Sequence, residues 1–119
     1  MYNFNFFLPT KVLFGAGRLN DLHAEPLPGK KALIAIGGQS VKKHGYLERL
    51  EKELDKAGVD HVLFEGIRAN PTRQNVMDGA KAVRDNGCDF VIALGGGSVM
   101  DCTKCNALMA VNDGDIWDY

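Results

Sequence analysis

The sequence has no surplus of charge of either sign, because 14 lysines and arginines are balanced by 15 aspartates and glutamates. This balance argues against the basic surface with which proteins bind nucleic acid. No apolar run approaches the roughly 20 residues of a membrane span. No basic segment precedes the N-terminal aromatic residues, as it would in a signal peptide. We therefore expect a soluble, cytoplasmic protein with neither a nucleic-acid nor a membrane partner.

Cysteine and histidine are scarce, with three of each. An odd number of cysteines argues against a disulfide framework. Cys102 and Cys105 form a C-x-x-C pair, but a zinc site would need a second ligand pair, which Cys88 alone cannot supply. We expect these cysteines to be small, partly buried structural residues. The histidines are isolated and lack metal-ligand spacing, so we assign no metal site and no catalytic residue.

Three short apolar runs indicate the fold class. They cover residues 32–36, 61–64 and 90–94 and are nearly continuous rather than alternating. Such runs are typical of parallel strands that are buried on both faces. The strand starts recur about every 29 residues, close to the length of a βαβ unit. The 119 residues are enough for one domain.

The segments between these runs have helical spacing. Leu47, Leu50, Leu54 and Ala57 define one apolar face, and Gly58 is placed to end that helix. A second helix is predicted from the same spacing of Val76, Ala80 and Val83. It would begin at the Asn-Pro of 70–71, with the proline in its first turn. It would end at Gly87.

The N-terminal segment YNFNFFLPTKVLFGAG contains two aromatic or branched runs separated by Pro-Thr. This pattern predicts two strands joined by a turn. The whole chain then reads as a Rossmann-like α/β fold, a doubly wound and mainly parallel sheet with an N-terminal β-hairpin.

A glycine-rich loop, LGGGSVMD, follows the third apolar run. One interpretation is structural: Ser98 caps the next helix and Asp101 completes a capping box. That interpretation does not explain three consecutive glycines, each of which is unfavourable by about 0.5–1 kcal/mol. A ligand phosphate lying against the backbone of Gly95, Gly96 and Gly97 explains them better, because a helix N-terminus attracts anions.

A second loop, IGGQSVKKHG, follows the first apolar run, and here Ser40 is placed to cap a helix. Dinucleotide folds that prefer NAD often carry an acid that binds the ribose 2′-hydroxyl. This loop has no acid; Gly37 and Gly38 are followed by Ser40, Lys42 and Lys43. It could therefore accept a 2′-phosphate. The lysines are equally well explained as a solvated helix face.

Taken together, these segments resemble the iron-containing alcohol dehydrogenase family. The similarity lies in NFNFFLPTKVLFGAG, the Asn-Pro of 70–71, GGGSVMD and the final GDIWDY. It is greatest for the branch of NADPH-dependent butanol dehydrogenases and aldehyde reductases, in which the first loop reads G-G-x-S-x-K-K. Members that prefer NAD usually have an aspartate in place of Gly37.

The resemblance implies roles for particular residues. Gly95, Gly96, Gly97 and Ser98 would hold the cofactor pyrophosphate. The adenosine ribose and any 2′-phosphate would lie against Gly37, Gly38 and Ser40, beside Lys42. Asn70 would contact the cofactor, and Asp101 would lie near its nicotinamide end.

The resemblance also implies what the chain lacks. Residues 1–119 correspond to the N-terminal nucleotide-binding domain, without the helical C-terminal domain that binds iron or another divalent metal. We expect the 119 residues to bind NADP(H) at most, and expect the full-length form to be a homodimer that acts on small alcohols or aldehydes. Two alternatives are a non-catalytic nucleotide-binding module or fragment, and a relative of glycerol dehydrogenases or dehydroquinate synthases.

Overall fold

Three parallel strands form the centre of the computed structural model, which describes residues 1–119. They are β1 (Lys31–Ala35), β2 (Asp60–Phe64) and β3 (Phe90–Ala93). The strand order is β2-β1-β3. Leu33 of the central strand is level with Val62 on one side and Val91 on the other. The three strands predicted from apolar runs are confirmed, but only β1 is buried along nearly all its length, whereas β3 is half-buried and β2 has exposed residues at Asp60 and Leu63.

Helices connect the strands and cover both faces of the sheet. They are α1 (Ser40–Lys43), α2 (Tyr46–Lys56), α3 (Arg73–Asp85) and α4 (Gly97–Ala110), with 3₁₀ helices at Arg18–Ala24 and Ile116–Asp118. The alternation of strands and helices and the doubly wound, Rossmann-like α/β class are confirmed. No helix has both the length and the apolar character needed to cross a bilayer.

The first face of the sheet packs against α2. Ile34 of the central strand and Ile36 directly after it meet Leu47, Leu50 and Leu54 in one buried cluster. These leucines recur with the spacing of one helix face, as predicted. Gly58 adopts a positive φ of 71° just beyond the helix, which confirms the expected stop.

The second face packs against α3 and α4. Ala35, Val76 and Ala80 form a buried cluster there, together with residues of α4. Asn106 of α4 is fully buried, and its Nδ2 donates to the carbonyls of Asn75 and Val76 at 3.2 and 2.7 Å. These bonds satisfy the buried amide and join the two helices.

The start of α3 differs from the prediction. Pro71 lies outside the helix, and Thr72 is the N-cap. The Thr72 hydroxyl accepts from the Asn75 N–H at 3.1 Å, and Asn75 Oδ1 accepts from the Thr72 N–H at 3.2 Å. This reciprocal pair fixes the boundary after the proline. The predicted end is confirmed, since Gly87 has a φ of 65°.

The predicted N-terminal hairpin is not formed. No strand precedes Lys31, and the segment 1–14 makes no backbone hydrogen bond. Its aromatic side chains are largely exposed, with Phe4 at 83% and Phe6 at 79%. A two-stranded hairpin is marginal in water unless an apolar surface covers one face. Within this chain, no such surface lies against the segment.

A buried carboxylate joins the N-terminal part to α2. Glu53 is only 3% exposed and lies below the first 3₁₀ helix. It accepts hydrogen bonds from the His23 N–H at 3.1 Å, from His23 Nδ1 at 2.7 Å and from Lys56 Nζ at 3.0 Å. The bonds from His23, followed by that from Lys56, lower the pKa of Glu53 from 4.5 to about 2.

We expect the Glu53 carboxylate to make folding sensitive to acid. Its pKa is lower in the folded state, so its contribution is fully present above pH 4.5 and is lost as the pH falls toward 2. Urea unfolding across this range should show the free energy of unfolding declining. The Glu53→Gln variant should be less stable at neutral pH but should lose less on acidification. Parallel pH curves for the two proteins would contradict this role.

Candidate functional site

The two glycine loops lie side by side at the carboxyl edge of the sheet. One follows β1 and the other follows the neighbouring strand β3. Val99, in the first turn of α4, lies between them. A Cβ built on Gly37 would lie 3.0 Å from the Ile67 carbonyl oxygen and 3.3 Å from Val99 Cγ2, and a Cβ on Gly95 would lie 2.9 Å from Val99 Cγ2. Close packing against Ile67 and Val99 at Gly37, and against Val99 at Gly95, therefore explains why these two positions are glycine.

Packing within the chain does not explain why Gly38, Gly96 and Gly97 are glycine. A Cβ built on any of them would meet no atom within 4 Å. None of the three is among the glycines with positive φ. The chain itself therefore does not require glycine at these positions. They form a stretch of bare backbone on both loops, open to close approach from outside.

The α4 N-terminus is free of side-chain caps. The helix begins at Gly97 after the N-cap Gly96, and no side chain bonds to its first turn. The predicted Ser98 cap and Asp101 capping box are therefore wrong, because the third glycine already belongs to the helix and places Ser98 inside it. The first bond runs from the Met100 N–H to the Gly96 carbonyl at 3.1 Å. The amides of Gly97, Ser98 and Val99 therefore have no partner within this 14-residue helix, and they lie at the positive end of its dipole.

The loop after β1 also differs from its prediction. Gln39, not Ser40, is the N-cap of α1, and no side chain caps this helix. Ser40 is the first helical residue. Lys42 is not simply a solvated lysine, because its Nζ donates to Glu65 Oε1. Lys43, by contrast, is exposed, as the alternative interpretation expected.

Glu65 is the residue that the sequence-based reasoning missed. It follows β2 directly, so it lies at the same sheet edge as the glycine loops. The hydrogen bond from Lys42 lowers its pKa, and a weaker one from Gln39 acts in the same direction. The inference that no acid accompanies the first loop is thus corrected. An acid directly after the second strand was the available signal.

Asn70 lies in the connection from β2 to α3, and it is the one non-glycine residue with positive φ, at 57°. Asn75 holds this connection in place. Its side chain accepts from the Arg68 N–H at 3.3 Å and donates to the Gly66 carbonyl at 3.3 Å. The left-handed conformation of Asn70 is one that asparagine tolerates better than most residues.

Asp101 faces a cavity of about 250 Å³ between α4, the start of α3 and the C-terminal 3₁₀ helix. Pro71, adjacent to Asn70, and Trp117 also line it. Arg73, which also lines it, forms an ion pair with Asp115 that lowers the pKa of the Asp115 carboxyl. Asp101 is therefore available to a ligand rather than engaged at the helix start.

Two of the three cysteines lie in α4, and Cys88 lies in the connection from α3 to β3. Cys102 is buried, Cys88 and Cys105 are half-buried, and all three are free thiols. Burial raises the pKa of the Cys88 and Cys102 thiols. A raised pKa disfavours the reactive thiolate, which agrees with a structural role.

Comparison with known proteins identifies the family. The model of the iron-containing alcohol dehydrogenase family matches residues 9–119. The chain belongs to this family. It is 40% identical over 119 residues to the probable NADH-dependent butanol dehydrogenase 1 of Bacillus subtilis, covering 99% of this chain and 31% of that protein. It is 41% identical over 110 residues to the NADPH-dependent aldehyde reductase YqhD of Escherichia coli, covering 92% of this chain and 28% of that one.

Solved structures of the family agree with the fold. The NADH-dependent butanol dehydrogenase A of Thermotoga maritima superposes with a TM-score of 0.90 at 34% identity, over 98% of this chain and 30% of that one. The 119-residue chain thus spans only about 30% of the length of the relatives it matches. These relatives include both NADH-dependent and NADPH-dependent enzymes, so family membership does not determine the cofactor.

The residues of this chain do not fit the metal implied by the family name. No group of three or more histidine, cysteine, aspartate or glutamate side chains is placed to hold a metal ion. A catalytic divalent metal requires such a ligand set. No step involving a metal can therefore be derived from these 119 residues.

We expect alanine substitutions to separate the packing glycines from the open ones. Gly95→Ala forces a φ of +156° and a 2.9 Å contact with Val99, and should destabilise the fold by about 1–3 kcal/mol. Gly97→Ala meets no atom and should leave stability unchanged or raise it by up to about 1 kcal/mol. Urea unfolding measures both. Equal losses in the two variants would refute the distinction.

Proposed function

We propose that the chain is the cofactor-binding part of an NADP-dependent, metal-dependent alcohol dehydrogenase or aldehyde reductase. The reaction is hydride transfer between NADP(H) and a primary alcohol or aldehyde. The principal support is the bare backbone of Gly38, Gly96 and Gly97, which no contact within the chain explains. It lies at the carboxyl edge of a parallel sheet, where such folds bind nucleotides.

In this proposal the chain's main contribution is to position the cofactor. The amides at the start of α4, from Gly97 and Ser98, donate to the pyrophosphate, and the helix dipole favours its charge. Gly37, Gly38 and Ser40 lie against the adenosine ribose. Asn70 contacts the cofactor, and Asp101 lies near its nicotinamide end, where the cavity beside Asp101 offers about 250 Å³.

The nicotinamide supplies the hydride chemistry, and the protein supplies its placement. No histidine, cysteine, aspartate or glutamate cluster of this chain is placed to bind a metal ion, and we expect the 119-residue chain to bind NADPH without reducing aldehydes. Three free cysteines are compatible with the reducing cytoplasm that we propose as its location.

A direct test of binding uses the single tryptophan of the chain, Trp117. It lines the cavity beside Asp101, so NADPH bound there should quench its fluorescence. Bound nucleotide should also raise the melting temperature in proportion to its concentration above Kd. If saturating NADPH produces neither effect, the proposal fails.

Gly97→Ala should separate ligand binding from folding. Its methyl group would occupy the open space in which a phosphate oxygen approaches the backbone. We expect the affinity for NADPH to fall about tenfold or more, the equivalent of one charge-assisted hydrogen bond, without loss of stability. Fluorescence titration measures this, with the exposed Gln74→Ala on α3 as a control. If Gly97→Ala binds NADPH as tightly as the unmodified chain, the pyrophosphate does not lie at the start of α4.

A second candidate is a nucleotide-binding module without catalysis. Its support is the open backbone of Gly38, Gly96 and Gly97, which nucleotide binding alone would explain, while no group of three or more metal-ligating side chains accompanies it in residues 1–119. Co-expression with the part of the Bacillus subtilis relative that this chain does not cover distinguishes the two. NADPH-dependent aldehyde reduction by the pair supports the enzyme. Stable assembly and NADPH binding without turnover support the module.

We also propose that two copies associate through the segment 1–14. Tyr2, Phe4 and Phe6 alternate with Asn3 and Asn5, which is the pattern of a strand with one apolar face. All three aromatic side chains are largely exposed, Tyr2 at 95%. A matching strand from a second copy would cover them and provide the missing hydrogen-bond partners.

Phe6→Asp should weaken this association because it places a charge on the apolar face. Light scattering should show a dimer for the unmodified chain and a monomer for the variant. Asn5→Asp adds the same charge to the opposite face and should remain dimeric. A monomeric unmodified chain would exclude this mode of pairing.

A further inference from the structure

The carboxylate of Glu65 occupies a position beside the proposed ribose site. The strand order β2-β1-β3 places the loop after β1 between β2 and the start of α4. Ala35 is level with Phe64, and the Ile36 N–H donates to the Phe64 carbonyl at 2.9 Å. Glu65 therefore lies alongside the backbone that leads into Gly37 and Gly38.

A dinucleotide bound as proposed would follow this edge in one direction. Its pyrophosphate would lie at the start of α4, the helix that follows β3 in the chain. Its adenosine ribose would lie over the loop after the central strand β1. The next strand along the same direction is β2. The 2′-substituent of that ribose, a hydroxyl in NADH and a phosphate in NADPH, would thus point toward the pair formed by Lys42 and Glu65.

Both members of this pair are accessible to a ligand. The side chain of Lys42 is 37% exposed and that of Glu65 is 42% exposed. The hydrogen bond from Lys42 lowers the pKa of Glu65, so the carboxylate is charged at neutral pH. It could accept a hydrogen bond from a ribose hydroxyl, and it would repel a phosphate. Without ligand, the lysine charge is already engaged by this carboxylate.

We infer that Glu65 is a specificity-determining residue that lowers the preference for NADPH over NADH by engaging Lys42 and repelling the 2′-phosphate. This inference rests on the proposed function, because it requires that the chain bind a dinucleotide at the glycine loops. Lys42 has the complementary role of ligand to the phosphate. The preference between NADPH and NADH would then depend on the balance between the Lys42 and Glu65 charges. It would not follow simply from the lack of an acid in the loop after β1.

A purely structural role is the competing explanation. A half-exposed ion pair between α1 and the end of β2 could simply hold the short helix in place. Its removal would then change the stability of the loop and the affinity for both nucleotides by the same factor. The ratio of the two affinities therefore distinguishes the explanations, because only a group near the 2′-substituent can alter it.

The test measures Kd for NADPH and NADH with the 119-residue chain by quenching of Trp117. In Glu65→Gln, the ratio of NADPH to NADH affinity should rise about five- to tenfold, the effect of removing one charge near a phosphate at partial screening. In Lys42→Met, the ratio should fall. Both effects should shrink at high salt, as expected for partly exposed charges.

Asp85→Asn provides the matched control. Asp85 is also a carboxylate paired with a lysine, Lys81. It ends α3, which begins at the carboxyl edge of the sheet and returns to the opposite edge before β3. Removing its charge should leave the affinity ratio unchanged.

The outcomes separate the two proposals. If the unmodified chain binds neither nucleotide, the proposed function fails and the inference fails with it. If it binds both but Glu65→Gln leaves the ratio within twofold, the inference alone is overturned. A rise in Glu65→Gln that Asp85→Asn reproduces would also overturn it, because the effect would then reflect net charge. A rise confined to Glu65→Gln, with a fall in Lys42→Met, supports it.

Discussion

The burial of β1 on both faces is the constraint from which the rest of the architecture follows. Ala32 and Ile34 contribute to the cluster with α2, whereas Ala35 contributes to the cluster with α3 and α4. A strand enclosed in this way needs helices on both sides and parallel neighbours reached by crossover connections. Parallel strands all end at one edge, so the loops after β1, β2 and β3 are brought together there.

At that edge the glycines have two different functions. Gly37 makes room for the Ile67 carbonyl and for Val99, and Gly95 makes room for Val99, which packs the start of α4 against the loop of the neighbouring strand. Gly38, Gly96 and Gly97 make no such contact and leave the backbone bare. The packing at Gly37 and Gly95 thus fixes the two loops in place. The neighbouring backbone at Gly38, Gly96 and Gly97 is left uncovered. Preorganised amides of this kind bind an anion without having to be ordered first.

Features that depend on residues close together in the sequence could be predicted. Contacts between residues far apart in the sequence could not. The spacing of Leu47, Leu50 and Leu54 predicted the buried face of α2, since helix periodicity is local. The caps assigned to Ser40 and Ser98 were wrong, because cap position depends on where the backbone enters the helix. The expected N-terminal hairpin failed for want of a covering surface. The partnership of Lys42 with Glu65, 23 residues apart, could not be predicted from spacing alone.

The sequence alone determined the parallel α/β sheet, the order of its elements and the family, because apolar periodicity and glycine-rich turns depend on residues close along the chain. Only the tertiary structure decided which glycines serve packing and which are open. It also decided that Asp101 faces a cavity and that an acid accompanies the first loop. These properties arise where strands distant in sequence end side by side, and their contacts depend on the register and twist of the sheet rather than on any local pattern.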